Sequence, residues 1–169
     1  MLVSSFLYKL LPHVPGCHDD LARAVLRDAF RTFARESDIV TETVTVDKEL
    51  LDFNCAYLPG TAVNEHLTPL HYLKTRTNAE DSRKADVTYS CLPKPDADFL
   101  PDAVAEKYSE AVVDMALFQL LNMPGKPWSN PQLAQYHLAN YRIELGNAIR
   151  DHVTCGRPLT QTALIAPPL

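Results

Sequence analysis

The residues best suited to metal binding or nucleophilic chemistry are six histidines and four cysteines. They are His13, His18, His66, His71, His137 and His152, with Cys17, Cys55, Cys91 and Cys155. No two cysteines stand at the C-x-x-C spacing of zinc and redox sites. His66 and His71 lie five apart with Cys55 and Cys91 on either side. Those are zinc-type ligands, but the spacing matches no family of zinc sites. Cys17-His18 sets a thiol beside an imidazole. Catalytic pairs meet in space rather than as chain neighbours, so a structural turn is expected there. The chain has no phosphate loop, no G-x-S-x-G elbow and no H-E-x-x-H helix. Glycoside hydrolysis needs paired carboxylates, one of them a general acid. Glu36, Glu42 and Glu49 are available but form no recognisable motif. The expectation is a chain with no catalytic residues, no metal ligands and no cofactor.

One constellation has regular spacing. Arg23, Arg27, Arg31 and Arg35 repeat at i, i+4 and form a basic ridge on one helix face. Such a ridge fits an acidic protein surface or nucleic acid. It equally fits a solvated face with local pairs, Asp19 to Arg23 and Asp28 to Arg31.

The elements that must carry these residues follow from composition and pattern. A length of 169 residues fits one domain, since domains commonly run to ~100–200. The 46% apolar fraction excludes a fully disordered chain. No stretch approaches the ~20 apolar residues of a spanning helix. A net charge of −5 disfavours general binding to DNA phosphates. Thirteen prolines against five glycines indicate stiff connections. The cysteines are read as reduced thiols in a cytoplasmic setting, some of them in the core. Val14-Pro15-Gly16-Cys17 looks faintly like a lipoprotein cleavage box. A signal needs basic residues and then an apolar run of about 7–15 residues, and here Lys9, Pro12 and His13 interrupt the run.

A short apolar segment, Phe6 to Leu11, ends at Pro12, and Pro15-Gly16 makes a turn. From Asp19 to Glu36, the apolar residues Ala22, Val25, Leu26, Ala29, Phe30 and Phe33 define one helical face. Val40 to Val46 alternates on a period of two and reads as a strand, as do Leu51 to Cys55 and Val87 to Cys91. Between them, Thr61 to Ala85 fits either a strand or a short helix, with Thr75 to Lys84 an exposed loop. A second helix is expected over about 101–123, with Val104, Tyr108, Ala111, Val112, Met115 and Phe118 as its stripe. It stops at Pro124-Gly125. Asn130 and Pro131 are a good N-cap and first residue for a third helix, over about 131–155. Gly146 inside that helix marks either close packing or a plain surface position. Gly156 suits a C-terminal cap. The short connector makes the last two helices an antiparallel hairpin. Trp128 is expected to pack against the first helix or the hairpin.

Two blocks carry a family resemblance. The first is Leu10-Leu11-Pro12-His13-Val14-Pro15-Gly16-Cys17, leading directly into a helix. The second runs from Leu100-Pro101 through Tyr108, Glu110, Ala111 and Leu120-Leu121 to Met123-Pro124-Gly125-Lys126-Pro127-Trp128-Ser129-Asn130-Pro131, then Leu133-Ala134 and Tyr136-His137. Together they resemble head-to-tail adaptor (connector) proteins of tailed bacteriophages. In that family a leucine-proline-x-valine-proline-glycine-cysteine turn opens the first helix, and a proline-glycine-lysine-proline-tryptophan connector joins two later ones. The connector, Pro124, Gly125, Pro127 and Trp128 here, is the more specific motif.

The resemblance implies an α+β fold. A small bundle of the N-terminal helix and the C-terminal hairpin would carry a β-rich insertion over about 39–95. Residues 1–156 would form a single adaptor domain and 157–169 an extended C-terminal tail. It also implies a structural subunit in a homo-oligomeric ring, commonly a dodecamer, under the portal protein. The ring would sit at the head–tail junction of the virion after assembly in the host cytoplasm. It would pass double-stranded DNA without sequence-specific binding and offer a docking surface to a tail or nozzle protein. The tail is stiffened by Pro158, Pro167 and Pro168, yet carries Leu159, Leu164, Ile165 and Leu169. These apolar residues are expected to dock on the portal or a neighbouring subunit, and the arginine ridge to meet a neighbour. The rival readings are a neck or tail-completion protein of the next ring, a virion-associated cell-wall hydrolase, and a DNA-binding regulator using the ridge.

Overall fold

A computed structural model describes residues 2–47, 67–99 and 101–154. The strand expected over Leu51 to Cys55, His66, the Gly156 cap and the whole 157–169 tail lie outside the described residues. The fold is mixed α+β. In chain order it has α1 (Leu7–Leu10) inside a run of tight helical turns, α2 (Asp19–Ser37), β1 (Thr41–Asp47), β2 (Leu67–Thr77), β3 (Lys84–Pro93), α3 (Asp102–Leu121) and α4 (Pro131–Thr154).

The expected segment at Phe6 to Leu11 is helical and longer than its apolar run. Helical turns span Val3 to His13, and Pro12 sits within the last of them. Proline is tolerated there because the first turn of a helix does not use its N–H. Val14 to Cys17 then forms a tight turn. The Cys17 N–H donates to the Val14 carbonyl at 3.0 Å, and Gly16 sits at φ +83°. Proline followed by a left-handed glycine is the type II pattern. His18, extended, caps α2 by accepting the Asp20 N–H on Nδ1 at 3.4 Å. At the other end Asp38 adopts φ 53°, unusual for a residue with a Cβ. Its carboxylate accepts the Ser90 hydroxyl at 2.6 Å, which ties the helix end to β3.

The strands form an antiparallel sheet in the order β1-β3-β2. β3 is central and buried along most of its length, and its Val87, Tyr89 and Cys91 enter the core. The loop expected over Thr75 to Lys84 is shorter than its polarity implied. β2 continues to Thr77, and only 78–83 turn the chain. An edge strand keeps one flank in solvent, so Lys74 and Arg76 are tolerated within it. The turn is closed by Asn78, whose side-chain oxygen accepts the N–H groups of Glu80 and Asp81 at 2.9 and 3.0 Å. Asn78 Nδ2 and the Thr45 hydroxyl both donate to Asp86 at 2.8 Å, in that order of weight holding its carboxyl below the ordinary value.

α3 lies between α2 and α4. Sequence periodicity gave it one stripe, but Ala116, Leu117, Leu120 and Leu121 are buried as well, while Met115 and Phe118 are only half-buried. A helix flanked on several sides must be apolar on several sides, which blurs a single stripe. α3 deviates from helical geometry at Tyr108 (φ −122°, ψ 18°). There the ring packs on Phe33 of α2 at 5.6 Å between centroids, and the hydroxyl donates to Asp151 of α4. Tyr141 of α4 completes the cluster, 6.5 Å from Phe33, with its hydroxyl donating to Glu36 at 2.5 Å.

Gly146 is exposed in α4, and a Cβ added there meets nothing within 4 Å. The close-packing explanation is therefore excluded. Gly146→Ala is expected to raise stability by roughly 0.5–1 kcal/mol, through the lower helix penalty of alanine. A melting temperature that is unchanged or lower would contradict this.

Candidate functional site

The connector between α3 and α4 is built to close the end of α3. The last carbonyls of a helix lack intrahelical partners. Here the Met123 N–H and the Trp128 indole N–H both donate to the Leu120 carbonyl at 3.2 Å. The Asn130 N–H donates to the Leu121 carbonyl at 2.8 Å, and the Ser129 hydroxyl reaches the same oxygen at 3.4 Å. Gly125 supplies the positive φ, +73°, that the turn requires. Asn130 caps α4 through its side-chain oxygen, which accepts the Leu133 N–H at 3.1 Å. Trp128 is buried in the core against the hairpin, and the Lys126 ammonium stands 5.8 Å from its ring centre. The Lys126 charge also lowers the Cys17 pKa through space, the smallest of the influences on that thiol. The Val14–Cys17 turn leads into α2, and the connector ends α3 and starts α4.

Cys17 is not an activated thiol. Burial, and then the Asp19 carboxylate, push its pKa up. Burial does the same to Cys91, followed by Glu42, raising it to about 11. A nucleophilic cysteine needs the opposite shift. His18 is committed to capping α2. Glu36 accepts the Tyr141 hydroxyl, and Glu49 is outside the described residues.

The arginine ridge runs along α2 with Arg23, Arg27 and Arg31 half-buried and Arg35 exposed. The local pairs expected from sequence do not form. Asp28 instead accepts Gln119 Nε2 of α3 at 2.9 Å, and Arg27 reaches Asp98, beyond β3, at 3.2 Å. The Nε atoms of Arg23 and Arg27 are shielded and have no hydrogen-bond partner.

Sequence reasoning missed one site. An open groove of about 510 Å³ lies between the N-terminal turns, α3 and α4, lined in part by Lys9, His13, Glu110, Asp114, Tyr136 and His137. His137 recurs at helical spacing with Ala134, Leu138, Tyr141, Leu145 and Ala148, which marks the inner face of α4. It is indeed 6% exposed, and its Nδ1 lies 2.7 Å from Asp114 Oδ1. Burial raises the Asp114 pKa, and the contact with His137 opposes that rise. His137 Nε2 is shielded and has no hydrogen-bond partner. The ring of His13 stands edge-on, 5.9 Å between centroids. Lys9 is paired with Glu110 and lies 3.5 Å from the Ser109 hydroxyl. The Asp114–His137 pair has the base-and-orienter arrangement of hydrolytic sites, but among the described residues no serine, threonine or cysteine lines the groove.

No protein-family model matches the chain, and no curated protein sequence matches it. No helix among the described residues is long and apolar enough to cross a membrane.

Proposed function

We propose that this chain is a structural virion subunit, a head-to-tail adaptor of a tailed bacteriophage. In this reading a bundle of α2, α3 and α4 carries the β-rich section as an insertion and the 157–169 segment as an extended tail. Copies assemble into a ring, of twelve subunits, beneath the portal. The ring prolongs the DNA channel and presents a surface to the tail or nozzle protein. The observation that carries the reading is that the two motif-bearing turns, Val14–Cys17 and Pro124–Asn130, are the ones that bound the long helices. Residues shared with the adaptor family thereby gain a common structural purpose: they start α2, end α3 and start α4.

Two further features support it. Arg31 and Arg35 have no ion-pair partner among the described residues, which leaves them for an acidic neighbour in a ring of subunits that each carry a net charge of −5. That same negative charge suits a channel wall that must pass DNA, since a wall that neutralised many phosphates would hold it.

The test is attachment to a purified portal ring. The full chain is expected to co-purify with the portal and to form a ring by electron microscopy. Deleting Leu159–Leu169 is expected to leave a folded subunit whose portal affinity falls at least tenfold, because many tails docking together supply avidity. Undiminished attachment of the truncated protein rejects tail docking. A full chain that stays monomeric beside the portal rejects the adaptor reading.

A further inference from the structure

We propose that the outer face of α2 in one copy docks on the outer face of α3 in the next, with Arg35 meeting Glu106 and Arg31 meeting Glu110 of the neighbouring copy. The proposal rests on the reading of the chain as a ring subunit and names the surface that the arginines meet. Both faces are laid out around one internal contact. Phe33 of α2 and Tyr108 of α3 are buried, with their rings 5.6 Å apart between centroids. A helix turns about 100° per residue, so residues two places away from a buried one lie on the opposite side. For Phe33 those residues are Arg31 and Arg35, and for Tyr108 they are Glu106 and Glu110. Burial agrees: Arg35, Glu106 and Glu110 are exposed and Arg31 is half-buried, even though α3 leaves helical geometry at Tyr108. The α2–α3 layer therefore carries two cations on one side and two carboxylates on the other, at the same level.

These charges can serve a partner. Arg31, Arg35 and Glu106 have no ion pair among the described residues. Glu110 is paired with Lys9, but its side chain is 71% exposed. The next step along each helix is already committed, Arg27 to Asp98 and Asp114 to His137. Residues four apart rise about 6 Å along a helix, so the two cations and the two carboxylates match in spacing. The direction follows from the packing within one copy. Asp28 and then Phe33 of α2 meet Gln119 and then Tyr108 of α3, so the two helices run antiparallel. A neighbour related by a small rotation keeps that sense, which sets Arg35 against Glu106 and Arg31 against Glu110. The two faces are different surfaces of one chain, so the contact is heterologous. Repeated contacts of that kind close a ring when the rotation closes.

The experiment is sedimentation velocity on the full chain without portal, with circular dichroism to check each variant's fold. Self-association is expected at low ionic strength and should weaken as salt screens the four charges. Arg31→Glu with Arg35→Glu sets like charges face to face and should weaken it about tenfold or more, as should Glu106→Arg with Glu110→Arg. The four-site variant carrying both changes restores opposite charges and should recover most of the original affinity. Glu110→Arg also confronts Lys9, so the single exchanges Arg35→Glu and Glu106→Arg, alone and together, repeat the rescue without touching that pair. Lys74→Glu with Arg142→Glu makes the same change in net charge at exposed positions of β2 and α4, and should leave association unchanged. A chain that stays monomeric at low salt overturns the proposal. So does a four-site variant no stronger than the two-site ones, or a control that loses as much as they do. Attachment to the portal judges the adaptor reading separately. Self-association without portal attachment retires that reading and keeps this contact, while portal attachment by a chain whose assembly ignores these four charges does the reverse.

Discussion

Trp128→Ala is expected to cost ~3–5 kcal/mol of folding stability, the usual range for emptying a buried aromatic site. The ring is 9% exposed and belongs to the main core. The loss has two parts. One is the void left against the hairpin. The other is the indole N–H that serves the Leu120 carbonyl at the buried C-terminal end of α3. Trp128→Phe keeps most of the apolar area and removes the donor, so it should cost less. A net hydrogen bond contributes about 1 kcal/mol, and the smaller ring adds to that. Urea denaturation followed by far-UV circular dichroism measures both. A loss below about 1 kcal/mol for the alanine variant would show that the ring contributes little to the core.

Phe33→Ala is expected to cost a similar ~3–5 kcal/mol, for a different reason. Phe33 is fully buried in α2 and touches one aromatic ring from each of the other two long helices, Tyr108 and Tyr141. Both tyrosines are held by hydrogen bonds at their far ends, to Asp151 and Glu36, so neither can swing into the space that Phe33 leaves. A site that cannot collapse keeps its cavity, and cavity volume drives the larger losses in such series. Arg35→Ala, two residues along on the exposed side of the same helix, should stay within about 0.5 kcal/mol of the original protein. Equal losses at the two positions would contradict the packing just described.

The connector shows why some features were legible in advance. Asn130 as N-cap, Pro131 at the first helical position and the Pro124-Gly125 stop are interactions among residues a few positions apart. Their chemistry can be read from the chain alone. The same holds for the apolar face of α2 and for the alternation of β1, where side-chain direction follows from backbone geometry. The errors share one cause. The length of β2 past Thr75 was hidden because its Lys74 and Arg76 are polar, and only pairing with β3 makes that stretch a strand. The extra buried residues of α3 were hidden because burial on several sides depends on neighbours brought in from elsewhere.

The sequence by itself therefore determined the kinds of local element, the caps and turns that bound them, the absence of any spaced catalytic motif, and the ridge of arginines along α2. The tertiary structure alone decided which distant residues meet. It paired Arg27 with Asp98, and it turned Asp28 to Gln119 in place of the local partner Arg31 that spacing offered. It brought Asp114 to His137, and His13 to the same groove from more than a hundred residues away. The physical reason is range. Periodicity and capping are set by bonds and dihedrals within one or two turns, whereas the groove exists only once burial of α3 has drawn the N-terminal turns and the hairpin around it.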